Sequence, residues 1–160
     1  MLTIRPVAPE DNLKLASIIR NIFDVMEAPT PGTVYVDPTT DHLFELFMEE
    51  GAILWVALWE DKVVGCCGIY PTDGLPEGCV ELVKYYIGMA FQGRGIGKKL
   101  FHRAIRSAQE LGYKTVYLES MPAFAGAIKI YEKSGFQYLP RPLGHSGHSG
   151  CDVWMLRHLS

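Results

Sequence analysis

A chain of 160 residues is long enough to bury one full hydrophobic core, and residues 1–160 read as a single domain. Hydrophobic residues make up 48% and charged residues 21%, with a net charge of -3, so the chain is of ordinary globular composition and carries no basic footprint for nucleic acid. Its longest apolar runs, such as AILWVALW, are too short to cross a bilayer, and MLTIRPVAPED lacks the layout of a secretory leader, so the expectation is a cytoplasmic protein with its four cysteines reduced.

LTIRPV (2–7) reads as a short strand, and apolar residues at Leu13, Leu15, Ile18, Ile19, Ile22 and Met26 predict a helix over 10–26. Pro29, Pro31 and Gly32 mark a loop. Asp37 followed by Pro38 has the form of a helix N-cap, and the helix it opens is expected to bury Leu43, Phe44 and Phe47. Residues 52–70 read as an antiparallel hairpin turning at Glu60-Asp61. Within it, Cys66 and Cys67 are neighbours that a strand points to opposite faces, which makes them poor disulfide partners. After the turn-rich PTDGLPEG comes a strand at 79–87, a helix at about 95–111 ended by Gly112, and a strand in KTVYLES. A helix in AFAGAIKIYEKSG, a short strand in FQYL, the loop RPLGHSGHSG and a last strand in CDVWMLRHL complete the chain. The order β-α-α-β-β-β-α-β-α-β-β contains a strand–helix–strand crossover after a hairpin, so the sheet is expected to be mixed.

The informative stretch is YYIGMAFQGRGIGKKLF (85–101), where a strand runs into Gly93, Gly95 and Gly97 at the mouth of a helix. A Walker A loop does not fit, because position 92 is Gln and Lys98 is followed by Lys99 rather than Ser or Thr. A dinucleotide fingerprint fails at its third glycine, where Lys98 stands. What is satisfied is Q/R-x-x-G-x-G/A, from Gln92 to Gly97. It places unencumbered backbone N–H groups at a helix N-terminus, where the dipole and unpaired donors favour an anion such as a pyrophosphate.

On these residues the chain resembles the GNAT superfamily of acyl-CoA-dependent N-acetyltransferases. ELVKYYIGMAFQGRGIGKKLF is similar to that superfamily's strand–pyrophosphate loop–helix motif, and AIKIYEKSGF to its later helix. The resemblance implies an α/β (α+β) fold with a mixed central sheet of about seven strands and about four helices, two parallel strands splaying to form the CoA slot. It also implies acetyl-CoA as co-substrate with no metal, a primary amine on a small molecule or a protein as acceptor, no membrane partner, and often a homodimer. By the same resemblance the cofactor-binding residues are Tyr85, Tyr86, Ile87, Gln92, Gly93, Arg94, Gly95, Ile96, Gly97 and Lys98, with Gly88 supplying a bend. Glu81 is the leading catalytic base, Glu119 in VYLES its rival, and Tyr131 the acid that protonates the leaving thiolate. Burial on a central strand would raise the pKa of Glu81 towards neutrality. Two departures stand out: Phe124 where asparagine is frequent, and Met89 where proline is common.

Acetyl transfer asks that an ammonium lose a proton, a thioester carbonyl be polarised and a thiolate be protonated. The acceptor is expected between the loops at 28–37 and 140–150, which carry Tyr35, Asp37, His145 and His148. The cluster His145, His148, Cys151 and Asp152 lacks the spacing of a strong zinc site; its loop reads better as acceptor lining, and Cys151, at the start of a strand, as core. A non-catalytic acyl-CoA sensor and a transferase for longer acyl groups are the alternatives.

Overall fold

In the computed structural model, which describes all 160 residues, one sheet gathers every strand. Its strands are β1 (Leu2–Pro6), β2 (Ile53–Trp59), β3 (Lys62–Tyr70), β4 (Cys79–Ile87), β5 (Thr115–Ser120), β6 (Gln137–Tyr138) and β7 (Val153–His158), in the spatial order β1-β2-β3-β4-β5-β7-β6. Every pair is antiparallel except β4 with β5. The helices are α1 (Asn12–Met26), α2 (Leu43–Leu46), α3 (Ile96–Glu110) and α4 (Ala125–Lys133). The hairpin turns where expected: Glu60 and Asp61 both take positive φ, 49° and 66°, the backbone that a two-residue turn between twisted strands requires.

Each face of the sheet buries its own core. On one face α3 and α4 lay Leu100, Phe101, Ala104 and Tyr131 over Val80, Leu82 and Val116. On the other, α1 lays Leu15, Ile19 and Phe23 over Leu54, Val56 and Cys66. Cys66 and Cys67 belong to opposite cores, as alternation along a strand demands, and all four cysteines are free thiols.

Two local expectations are corrected. Leu13 is 84% exposed and Met26 is 41% exposed, so neither belongs to the buried stripe of α1. Leu13 sits about 200° around the helix from Leu15, a separation that apolar character alone does not reveal. The helix after Asp37 is a 3-10 turn at Pro38–Asp41 followed by the single turn of α2, and of its apolar residues Leu43 and Phe47 are buried while Phe44 is only half-buried. The cap itself forms as expected: the Thr39 N–H donates to the Asp37 carboxylate at 2.9 Å.

The feature that positions the site is a fork. β4 and β5 pair only at Cys79–Thr115, Val80–Val116 and Glu81–Tyr117. Beyond Glu81, β4 runs on to Ile87 with no partner on its β5 side.

Candidate active site

The fork opens into a cavity of about 460 Å³ that runs from the start of α3, between β4 and β5, to α1 and the loop before β7. At its α3 end, none of the backbone N–H groups from Gly93 to Lys98 donates to a protein acceptor; the first to do so is that of Lys99, 3.3 Å from the Gly95 carbonyl. The three glycines do different work. Gly93 and Gly95 have φ of +80° and +81° with nothing within 4 Å of an added Cβ, so they are needed for backbone conformation. Gly97 is needed for space, because a Cβ there would lie 2.9 Å from the Tyr85 hydroxyl and 3.3 Å from Ile87 Cγ1.

The other loop residues divide. Gln92 donates its side-chain amide to the Ile87 carbonyl at 3.0 Å, tying the loop to the end of β4. Gln92, Gly93, Gly95, Gly97 and Lys98 line the cavity; Arg94 and Ile96 do not. Arg94 turns back over Phe91 and Trp59, 5.3 and 5.6 Å from their ring centres, and Ile96 is buried in the core.

In the middle of the cavity stand the titratable groups. Glu81 is 3% exposed and accepts a hydrogen bond from the Thr72 hydroxyl at 2.5 Å. Burial pushes its carboxyl up to about 7; the Thr72 bond works against that, the nearby Glu119 charge adds to it, and Lys84 offsets part of it. Glu119 is engaged on both oxygens, by the Tyr117 hydroxyl at 2.6 Å and the Ser146 hydroxyl at 2.5 Å. Tyr131, on α4, is packed among Tyr85, Phe101 and Phe136 with ring centres about 6 Å away, and burial holds its phenol well above the usual range.

Tyr85, Tyr86 and Ile87 all line the cavity, but from opposite sides of β4. Tyr85 packs against Phe101 and Tyr131, whereas Tyr86 packs against Phe23 and Phe124. Phe124, the departure at the start of α4, meets Phe23 edge-on at 5.1 Å and forms part of the wall.

The two histidines of GHSGHSG separate. His148 lines the cavity and its Nε2 lies 3.2 Å from Asp37, joining the loop before β7 to the loop before α2. His145 packs instead against Gly74, its backbone N–H donating to the Asp73 carbonyl at 2.7 Å. Tyr35 points its hydroxyl at Asp24, 3.0 Å away. No three His, Cys, Asp or Glu side chains are grouped to hold a metal ion.

Sequence reasoning passes over Thr72 and Ser146, and offers Lys84 only as an ion-pair partner for Glu81, which is turned to Thr72 instead. Between Cys66 and Gly68 the β3–β4 register gains a residue on the β4 side, and Lys84, at the bulge, has φ of +56°. Its signal in the sequence is a charge inside CVELVKYYI, at a position that alternation from Val80 and Leu82 assigns to the α3 core.

A mixed sheet forked between its two parallel strands, with free amides at the mouth of the following helix, defines an acyl-CoA-type transferase fold. The chain belongs to the acetyltransferase (GNAT) family, whose model matches residues 19–136. It is 36% identical over 157 residues to the uncharacterized N-acetyltransferase YjgM of Escherichia coli (strain K12), an alignment covering 98% of this chain and 94% of that one. The fold is shared with an acetyltransferase of the GNAT family from Staphylococcus aureus Mu50, at a TM-score of 0.84 and 20% identity over the whole of both chains. It is shared also with the PaiA N-acetyltransferase of Thermoplasma acidophilum, solved in complex with coenzyme A, at a TM-score of 0.77 and 15% identity over 99% of each chain. The chain is thus an N-acetyltransferase of a family that uses acetyl-CoA, and none of its helices is long and apolar enough to cross a membrane.

Proposed function

We propose that the chain moves an acetyl group from acetyl-CoA to a primary amine by direct attack, with both substrates bound together in the cavity. The observation that carries this reading is the run of unengaged amides from Gly93 to Lys98 beside the unpaired edge of β4. Those amides and the N-terminus of α3 fit a pyrophosphate, and the β4 edge at Tyr85–Ile87, open to β5 except at the Ile87 carbonyl held by Gln92, fits the amide-bearing pantetheine arm. Acetyl-CoA, when bound, supplies the electrophilic thioester carbon.

The chain's own groups then divide the proton work. Glu81 takes the proton from the acceptor ammonium. One of its oxygens is held by Thr72 and the other is left without a partner, and a carboxyl pushed up to about 7 is matched to accept a proton near neutral pH. Glu119 has both oxygens occupied, which favours it as the fixed charge that raises Glu81 over the role of rival base. Tyr131, which burial holds protonated, gives its proton to the departing thiolate as the carbon–sulfur bond breaks, and the second proton of the acceptor nitrogen, released as the tetrahedral intermediate collapses, restores the phenol.

A free-thiol assay with acetyl-CoA and a panel of amines tests the whole reading. Acetyl-CoA-dependent thiol release that requires an amine is expected. Tight CoA binding by calorimetry with no turnover on any amine would make the chain a sensor.

A further inference from the structure

Lys84 is the buried cation that the proposed chemistry leaves without a task. Its residue is 8% exposed, yet no carboxylate oxygen lies within 4.0 Å of its ammonium and it donates no hydrogen bond. It is not sealed in, since no fully buried side-chain nitrogen lacks a partner, and it lines the cavity. The bulge fixes where it points. Past it, Tyr85 rejoins Leu82 on the α3 face, so Lys84 lies on the α1 face with Glu81, Asp37, Cys66 and Cys151 about it.

A lysine kept there only to neutralise acids would be expected to meet one. Asp37 favours the Lys84 charge only from a distance, since its oxygens are turned to Thr39 and His148 and neither comes within 4.0 Å of the ammonium. Glu81 is turned to Thr72. A buried cation without a counter-ion is costly, and burial indeed pulls the Lys84 ammonium down from its usual range. An anion arriving with a ligand would remove that cost. The α1 side of the cavity is apolar, with Ile22, Phe23, Val34 and Phe124, while Thr33 and His148 add polar groups from the loops beside it.

We propose that Lys84 receives the carboxylate of the acceptor, and that the acceptor is an α-amino acid with an apolar side chain. The inference rests on the transferase reading above. Glu81 and Lys84 stand three residues apart on one face of β4, held close but not paired. An α-amino acid carries its ammonium and carboxylate on one carbon, so it presents the complementary pair: ammonium to Glu81, carboxylate to Lys84. The apolar wall then takes the side chain.

The test compares L-leucine, L-methionine and L-phenylalanine with the amines that lack only the carboxylate: isopentylamine, 3-(methylthio)propylamine and phenethylamine. CoA release gives kcat/KM for wild type and Lys84→Met, and calorimetry on the CoA-bound protein gives affinity for each pair. Wild type is expected to favour at least one amino acid over its amine about 10-fold or more, as loss of a buried charge-assisted contact implies. Lys84→Met is expected to erase that preference, read as the amino acid to amine ratio of kcat/KM within each protein at one pH so that any shift of the Glu81 limb acts on both substrates alike, and to melt at the same or a higher temperature. Equal use of amino acid and amine by wild type in all three pairs, or an equal loss on both in the variant, overturns the proposal. Carboxylate-dependent binding without any turnover would sink the transferase reading and leave the subsite standing; turnover of amines without carboxylate preference would do the reverse.

Discussion

At the scale of single residues, Glu81 ties the chemistry to a measurable pH dependence. With its carboxyl at about 7, kcat/KM should climb roughly tenfold per pH unit below 7 and flatten above it. Glu81→Gln should remove that limb and lower kcat by about 10²–10⁴-fold with CoA affinity unchanged. The same shift acts on stability. A group whose folded value is raised above its unfolded value contributes stability that is fully present below about pH 4.5 and is lost as pH rises through 7. Glu81→Gln should therefore gain on wild type between pH 5 and pH 8, by roughly 1–3 kcal/mol in urea unfolding; a gain of the opposite sign would mean that Glu81 folds in as a satisfied anion. Tyr131→Phe should slow turnover about 100-fold and leave the Kd for acetyl-CoA nearly untouched. Likeness to the family nominates Glu81 by its offset from Gln92, Glu119 by its strand and Tyr131 by its helix motif, and all three line the cavity. The place of Lys84 could not be read, because its orientation depends on one extra residue in a ladder, and strand alternation without that bulge sends it to the wrong face.

At the scale of elements, the loop before α3 was legible because glycines at 93, 95 and 97 constrain the backbone whatever surrounds it. What the spacing does not say is that they serve two ends. Gly95→Ala should cost roughly 1–2 kcal/mol, since alanine must adopt a left-handed φ at the helix mouth. Gly97→Ala keeps a favourable helical residue but forces Tyr85 and the end of β4 away from α3. Its expected signature is CoA affinity weakened about tenfold with little change in melting temperature, and calorimetry beside a thermal melt separates the two variants. The second helix was over-read because the apolar residues Leu43, Phe44 and Phe47 suggest a stripe, whereas the chain makes a 3-10 turn and one α-turn. The histidine loop was legible only as a loop: GHSGHSG is nearly symmetric, and which histidine faces the cavity is decided by Asp37 and Asp73, distant in sequence.

At the scale of the whole molecule, the order of elements was readable throughout, since strands and helices here are separated by clear turn residues and carry distinct apolar periods. The fork was expected from family likeness alone, because nothing in CVELVKYYI or TVYLES says that their pairing stops after three residue pairs. That early stop has a mechanical result. The sheet consists of a four-strand leaf (β1 to β4) and a three-strand leaf (β5 to β7), joined along a seam much shorter than either. Without a guest, backbone amides flanking the gap on β4 should exchange with deuterium faster than those of the β2–β3 ladder. A molecule that spans the opening serves as the missing stitch, so acyl donor at one hundred times its Kd should slow that exchange and raise the melting temperature by about 5–10 °C. On that outcome the protein would be tightened by the substrate it consumes and slacken again when product leaves.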